Sequence, residues 1–335
     1  MKCISQYWVV QGLILLLLGS RQMTAATSEP LCCAISPAEM ERLDKGESIA
    51  RIIKTTDHDL AILGAVKLRK SKEEFLKWFR NVENFKLSSM VPEAKAFHNP
   101  PKTEDLAGLT LSDQELKDIR LCQPGKCGSK LSTHEINLVK NSVDWAATDA
   151  SQKANVLFRR SMLDYVAGYL NRGNAALGRI NDKESASDIA EIYSSLIRNF
   201  PYLHDKFPEV FRHLQEFSGA KPQSSDHFIY WSRERYGFGM KPLLNVIHVS
   251  IHNPNPNILL IVSKQIRSTH YFDGSLGVTM LLDAPGGAYL IYINRSRIDL
   301  LRDAGWFRRT LVEHNVPGAT RKEMLAIRDR VEKWK

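Results

Sequence analysis

From Asp226 to Asp299, apolar and polar positions alternate with a period of two, in runs separated by short breaks. The runs read HFIYWSRERY, PLLNVIHVSIH, NILLIVSKQIRSTHYF, GVTMLLD and AYLIYINRSRID. This period, with its enrichment in Val, Ile, Tyr and Thr, predicts strands. The break Ala284-Pro-Gly-Gly287 predicts a hairpin, and Pro254 and Pro256 lie where a missing N–H does no harm. The block therefore reads as an antiparallel meander of four or five strands. In Asn245–His252 the odd positions Ile247, Val249 and Ile251 are apolar, and the even ones include His248, Ser250 and His252. In Lys264–Asp273 both alternating sets are mixed. A sheet with one wet face would show one clean polar set. Mixing on both sides predicts that both faces are packed, and it suits a curved sheet enclosing a partly polar cavity.

Outside this block the period changes. Ile49, Ile52, Ile62, Leu63, Val66 and Leu68 suggest two further strands joined at Asp57-His58-Asp59. Ser36-Pro37 with Glu39 predicts a short helix start. Capping boxes at Ser71/Glu74, Ser112/Glu115 and Ser132/Glu135 each precede an apolar stripe at helical spacing. A long helix is expected over Gln152–Leu170, then one carrying Ile189, Ile192, Tyr193, Leu196 and Ile197, ended by Pro201, and a short one over Val210–Phe217. Ser218–Ser225 reads as a linker. A fourth box, Thr320/Glu323, predicts the start of a last basic amphipathic helix over residues 320–335, with Met324, Ile327, Val331 and Trp334 as its stripe. The fold class is α+β: one domain over residues 27–335, its main antiparallel sheet at 226–299, with a helical insertion at about 106–217.

Composition sets the compartment. Lys2, the apolar run Tyr7–Leu18 and the small residues Thr24, Ala25 and Ala26 have the order of a secretory signal over residues 1–26, or of a retained N-terminal anchor. The expectation is an exported protein, periplasmic or extracellular. Cys122-Gln-Pro-Gly-Lys-Cys127 places two cysteines across a Pro-Gly turn and predicts a disulfide; partners for Cys32 and Cys33 cannot be assigned. The formal charge of +9 is scattered rather than gathered in one patch. That argues against a nucleic-acid partner and leaves peripheral contact with an anionic membrane surface open.

Chemistry is less marked. No Gly-x-Ser-x-Gly, His-Glu-x-x-His or phosphate loop occurs, and nothing calls for a metal or cofactor. His270 and Asp273 form the candidate pair for general base catalysis, and Arg295 and Arg297 could hold an anionic group. The plainer reading is that these groups are ion pairs between sheet and helices.

The order of elements (two strands, helices, a meander of about five strands and a closing helix) resembles the START-like helix-grip superfamily over Glu47–Phe79 and Asp226–Lys335. The helical stretch exceeds the usual one, and no residue motif carries over. The block KQIRSTHYFDGSLGV…YLIYINRSRID also resembles exported bacterial proteins of no assigned activity. The resemblance implies a curved sheet closed by the C-terminal helix around an apolar cavity. It points to a monomer that binds a lipid or other apolar small molecule. Tyr230, Trp231, His248, Tyr271, Tyr292, Arg295 and Arg297 are the expected ligand-binding residues. The alternatives are a hydrolase using His270 and Asp273, or a cell-envelope interaction protein contacting its partner through the last helix.

Overall fold

The computed structural model describes residues 35–53, 59–200, 202–219, 226–235, 240–302 and 306–334. The expected leader, Cys32 and Cys33, the Asp57-His58 turn and most of the Ser218–Ser225 linker lie outside these residues. The strands are β1 (Ile49–Ile53), β2 (Asp59–Leu68), β3 (Glu93–Ala96), β4 (Arg179–Ile180), β5 (Ser187–Asp188), β6 (Asp226–Glu234), β7 (Leu243–Asn255), β8 (Ile258–Ser268), β9 (Phe272–Ala284) and β10 (Gly287–Ile298). All except the small β4–β5 hairpin join one antiparallel sheet in the order β1-β2-β10-β9-β8-β7-β6-β3. The block from Asp226 is thus a five-stranded meander, extended on one side by the N-terminal hairpin and on the other by β3.

The sheet is open, with β1 and β3 as its edges, and the last helix lies on one of its faces. The edge strand β3 is short and reads Glu-Ala-Lys-Ala, which discourages pairing with another chain.

Helices cover both faces. On one lie α2 (Lys72–Phe79), α3 (Val82–Lys86) and α11 (Trp306–Lys333). On the other lie α4 (Asp113–Leu121), α5 (Thr133–Ser142), α6 (Ala150–Arg172), α7 (Ile189–Arg198), α8 (Leu203–Lys206) and α9 (Pro208–Gln215). Helices α1 (Pro37–Asp44) and α10 (Asp299–Arg302) flank β1 and follow β10. Strand alternation divides the core accordingly. Leu260, Val262, Val278, Met280, Ile291 and Ile293 pack with Met162, Val166, Tyr193 and Leu196. Ile247, Val249, Leu259, Ile261, Leu281 and Leu290 pack with Phe75, Trp78, Phe79, Met324 and Val331. The mixed faces of the sequence pattern correspond to a sheet buried on both sides.

Helix starts follow the local chemistry. Ser36, Ser71, Ser112 and Ser132 each accept a hydrogen bond from the backbone N–H of a Glu three residues on, whose side chain returns to the cap N–H. The Thr320/Glu323 box is the exception: it lies inside α11, which begins at Trp306 and contains Pro317. At Gly64 of β2 a Cβ would stand 2.9 Å from Thr320 Cγ2 and 3.0 Å from Met324 Cγ, so a glycine lets α11 lie directly on the sheet. Gly173, which ends α6 at φ 57°, has no room for a Cβ against the carbonyl of Phe217.

Candidate binding cavity

A cavity of about 400 Å³ lies between the sheet face and the layer of α2, α3 and α11. The construction follows from side-chain size along the strands. On the α11 side, β7, β8, β9 and β10 carry large apolar residues at one end of the sheet, among them Val249, Leu259, Ile261 and Leu281. Toward the other end they carry Asn245, Ser263, Gln265, Ser275, Gly277, Asn294 and Ser296. These smaller side chains leave space under the helices where Leu or Phe would have filled it. The opposite wall is aromatic: Phe75, Trp78 and Phe79 from α2, Phe85 from α3 and Tyr230 from β6. Phe85 is 4.2 Å from Phe79 between ring centroids and meets Tyr230 edge-on at 5.6 Å. Tyr292 lies over Gly277, where a Cβ would come within 3.2 Å of its ring.

The polar floor is largely knit to itself. Gln265 Nε2 donates to Asn245 Oδ1 at 2.8 Å, Asn294 Nδ2 to Ser275 Oγ at 2.9 Å, and Ser296 Oγ to Asn294 Oδ1 at 2.6 Å. Gln265 Oε1, buried in this floor, has no partner among the described residues. The charged lining residues pair with one another: Lys86 with Glu234 at 2.8 Å and Arg330 with Glu323 at 3.2 Å. Burial pushes the Tyr230 hydroxyl up to about 12, and burial likewise raises Tyr292, so both are neutral hydrogen-bonding groups across the physiological range.

Two of the expected ligand-binding residues, Tyr230 and Tyr292, line this cavity. The others lie elsewhere, for reasons of strand geometry. Trp231 follows Tyr230, so it points to the opposite face, where its Nε1 donates to the carbonyl of Asp105 at 2.8 Å. His248 lies under α6, its Nδ1 3.0 Å from the Tyr169 hydroxyl and its Nε2 3.2 Å from His227 Nδ1. Arg295 Nη2 and Arg297 Nε both grip Asp59 at 3.0 Å, and Arg295 also donates to the carbonyl of Asn199. These arginines clamp β10 to the start of β2 and the end of α7, which is the ion-pair role. The floor residues Asn245, Ser263, Gln265 and Ser275 escaped the sequence reading, which weighed aromatic and charged groups. The available signal was a row of small neutral polar residues two apart on successive strands.

A second recess of about 240 Å³ adjoins the Cys122–Cys127 disulfide and is lined by His270, Tyr271, Thr269, Lys130, Asp182 and Asp299. Here Lys130 Nζ sits among Asp273 at 2.6 Å, Asp299 at 2.8 Å and Asp182 at 3.5 Å. Burial works against the Lys130 charge, but the three carboxylates outweigh it and raise its pKa. Burial pushes Asp273 up, helped by Asp299 and opposed by Lys130. Asp299 is held low by Lys130 in spite of its burial. His270 Nδ1 is 3.0 Å from Thr269 Oγ1, and burial lowers its pKa. The candidate pair is therefore drawn to different partners: His270 to Thr269, and Asp273 to Lys130. Tyr271, at φ 63°, accepts a hydrogen bond from the backbone N–H of Lys241.

A cluster of His213, His227, His248 and His252 occupies the face covered by α6 and α9, near Phe217. Among the described residues no group of three or more His, Cys, Asp or Glu is arranged to hold a metal ion. None of the described helices is long and apolar enough to cross a membrane. Compared with protein-family models, curated proteins and solved structures, the chain matches none.

Proposed function

We propose that the chain is an exported binding protein for a hydrophobic or amphipathic small molecule, held between the sheet and helices α2, α3 and α11. The observation that carries this reading is the 400 Å³ cavity, with aromatic side chains on one wall and neutral polar ones on its floor. Cavities that take small ligands are mostly apolar with a few placed polar groups. A packed core of this size would close such a space, because each void forfeits dispersion contacts and stability. Retaining it at the meeting of three helices and a sheet is what a ligand would require. The reading agrees with the START-like resemblance in one respect: the C-terminal helix forms part of the cavity wall through Glu323, Met324, Ile327 and Arg330.

The test is titration with N-phenyl-1-naphthylamine, an apolar dye that brightens when it leaves water. Saturable binding near one dye per chain is expected, and it should be lost in Thr279→Trp, which fills the cavity. Absence of saturable binding, or full binding by a folded Thr279→Trp protein, would sink the proposal.

A second reading has one observation in its favour. His270 is only 6% exposed, lines the recess beside the disulfide, and its Nε2 has no hydrogen-bond partner among the described residues. A neutral imidazole so placed could act as a base in hydrolysis. Turnover of an ester panel that disappears in His270→Ala would favour this reading; unchanged turnover would remove it.

A further inference from the structure

The lining of the cavity says which end of an amphiphile it selects. Every side chain on its polar floor is neutral: Asn245, Ser263, Gln265, Ser275, Asn294 and Ser296. The four charged residues at its wall form two opposite pairs, Lys86 with Glu234 and Arg330 with Glu323. A ligand carboxylate or ammonium brought onto this floor would lose its water and meet no counter-charge, which is the costly case for a buried ion. A hydroxyl loses far less and can donate its proton to a floor acceptor.

One acceptor of the floor differs from the rest. Gln265 spends its Nε2 on Asn245, and Asn294, Ser275 and Ser296 bond among themselves. Gln265 Oε1 is left buried and without a partner among the described residues. An unmade hydrogen bond on a buried carbonyl is unfavourable, so a ligand O–H that supplies it, with a small turn of the Gln265 amide to bring Oε1 to the cavity surface, gains more than it would at a satisfied surface. The apolar body of the ligand would then run toward Phe75, Trp78, Phe79 and Phe85.

We propose that the cavity selects uncharged amphiphiles whose head carries a hydroxyl, and that Gln265 Oε1 accepts a hydrogen bond from that hydroxyl. This deepens the binding reading above and rests on it. The class covers glycerol monoesters and alkyl glycosides; it excludes free fatty acids and alkyl amines of the same chain length.

The experiment is displacement of bound N-phenyl-1-naphthylamine by monolaurin, laurate and laurylamine, all kept below their micelle-forming concentrations, with wild-type protein and Gln265→Leu. The expected result is that monolaurin displaces the dye at least about tenfold more tightly than laurate or laurylamine. In Gln265→Leu that preference should shrink to within about threefold, each displacement constant being referred to the variant's own dye affinity. Laurate or laurylamine binding as tightly as monolaurin would overturn the selectivity, and so would a full preference surviving in folded Gln265→Leu. Either result would leave the cavity itself standing. Failure of the dye to bind wild-type protein is the separate outcome that removes the binding reading. If Gln265→Leu does not fold, the wild-type ratio alone decides whether neutral heads are preferred, and Gln265→Met provides the second variant.

Discussion

Among the described residues no carboxylate pairs with the buried amine of Lys264. It projects from β8 into the α6–α7 layer, 2% exposed, with Nζ 2.5 Å from Asn174 Oδ1 and 4.6 Å from the centroid of the Tyr193 ring. Burial lowers its pKa from 10.5 to about 7. The native state therefore binds fewer protons than the unfolded chain between those two values, and stability must rise with pH across the interval. Each pH unit of depression corresponds to about 1.4 kcal/mol, so the full effect is at most about 5 kcal/mol, reached below the native pKa. Met is close in length and carries no charge. Lys264→Met should stabilise the protein by several kcal/mol at neutral pH and remove most of the rise. At high pH it should be about 1 kcal/mol less stable than wild type, for want of the Asn174 hydrogen bond. The useful window is about pH 7 to 9.5, above histidine titration and below that of unfolded tyrosine. Chemical denaturation at three or four pH values in that window gives both curves. The reasoning fails if the pH slope is the same in variant and wild type, or if the variant is much the less stable protein at pH 7.

Asp59→Ala should destabilise by about 3–5 kcal/mol, because it strands the guanidinium groups of Arg295 and Arg297 that Asp59 now holds; urea unfolding measures this. Burial holds His252 down to about 4 and His248 well below its ordinary 6.5, so the stability these neutral rings contribute is present above pH 6.5 and is lost as pH falls toward 4. Thermal scans through that range should show a falling midpoint, and His252→Phe should flatten it. Reducing the Cys122–Cys127 disulfide, with its sequence separation of 5, should leave the fold intact. The expected loss is about 2 kcal/mol in the chain-entropy account, read from denaturation with and without reductant. Gly64→Val should lower stability and raise dye access to the cavity, since its Cβ would push Thr320 and Met324 away from β2.

Much of the architecture was legible because strand and helix patterns act locally. Val249, Ile261 and Leu281 on one side and Val262, Val278 and Ile293 on the other form two apolar sets, and each meets a helical layer. Ser71, Ser112 and Ser132 mark helix starts because the cap satisfies backbone donors within four residues of sequence. Long-range features were not legible. Strand β3 has the composition of a helix or loop and is a strand only because β6, over a hundred residues later, offers it an edge. The Thr320 box lies inside α11, which begins at Trp306, so the local signal does not mark the helix start.

The candidate site was half legible for the same reason. Tyr230 and Trp231 are adjacent on a strand, so they cannot share a cavity; Tyr292 and Arg295 are separated by an odd step and also part company. Aromatic and charged residues attract notice in a sequence whether they bind a ligand or fill a core. Ser263, Gln265 and Ser275 gain meaning only once register sets them side by side opposite an aromatic wall.

Native mass spectrometry of the protein purified from its expression host, followed by organic extraction, is the most direct test of the binding proposal. One uncharged, hydroxyl-bearing amphiphile per chain is expected, released on denaturation and absent from Thr279→Trp. A bare mass for the wild-type protein, with nothing in the extract and no uptake of monolaurin on addition, would contradict it.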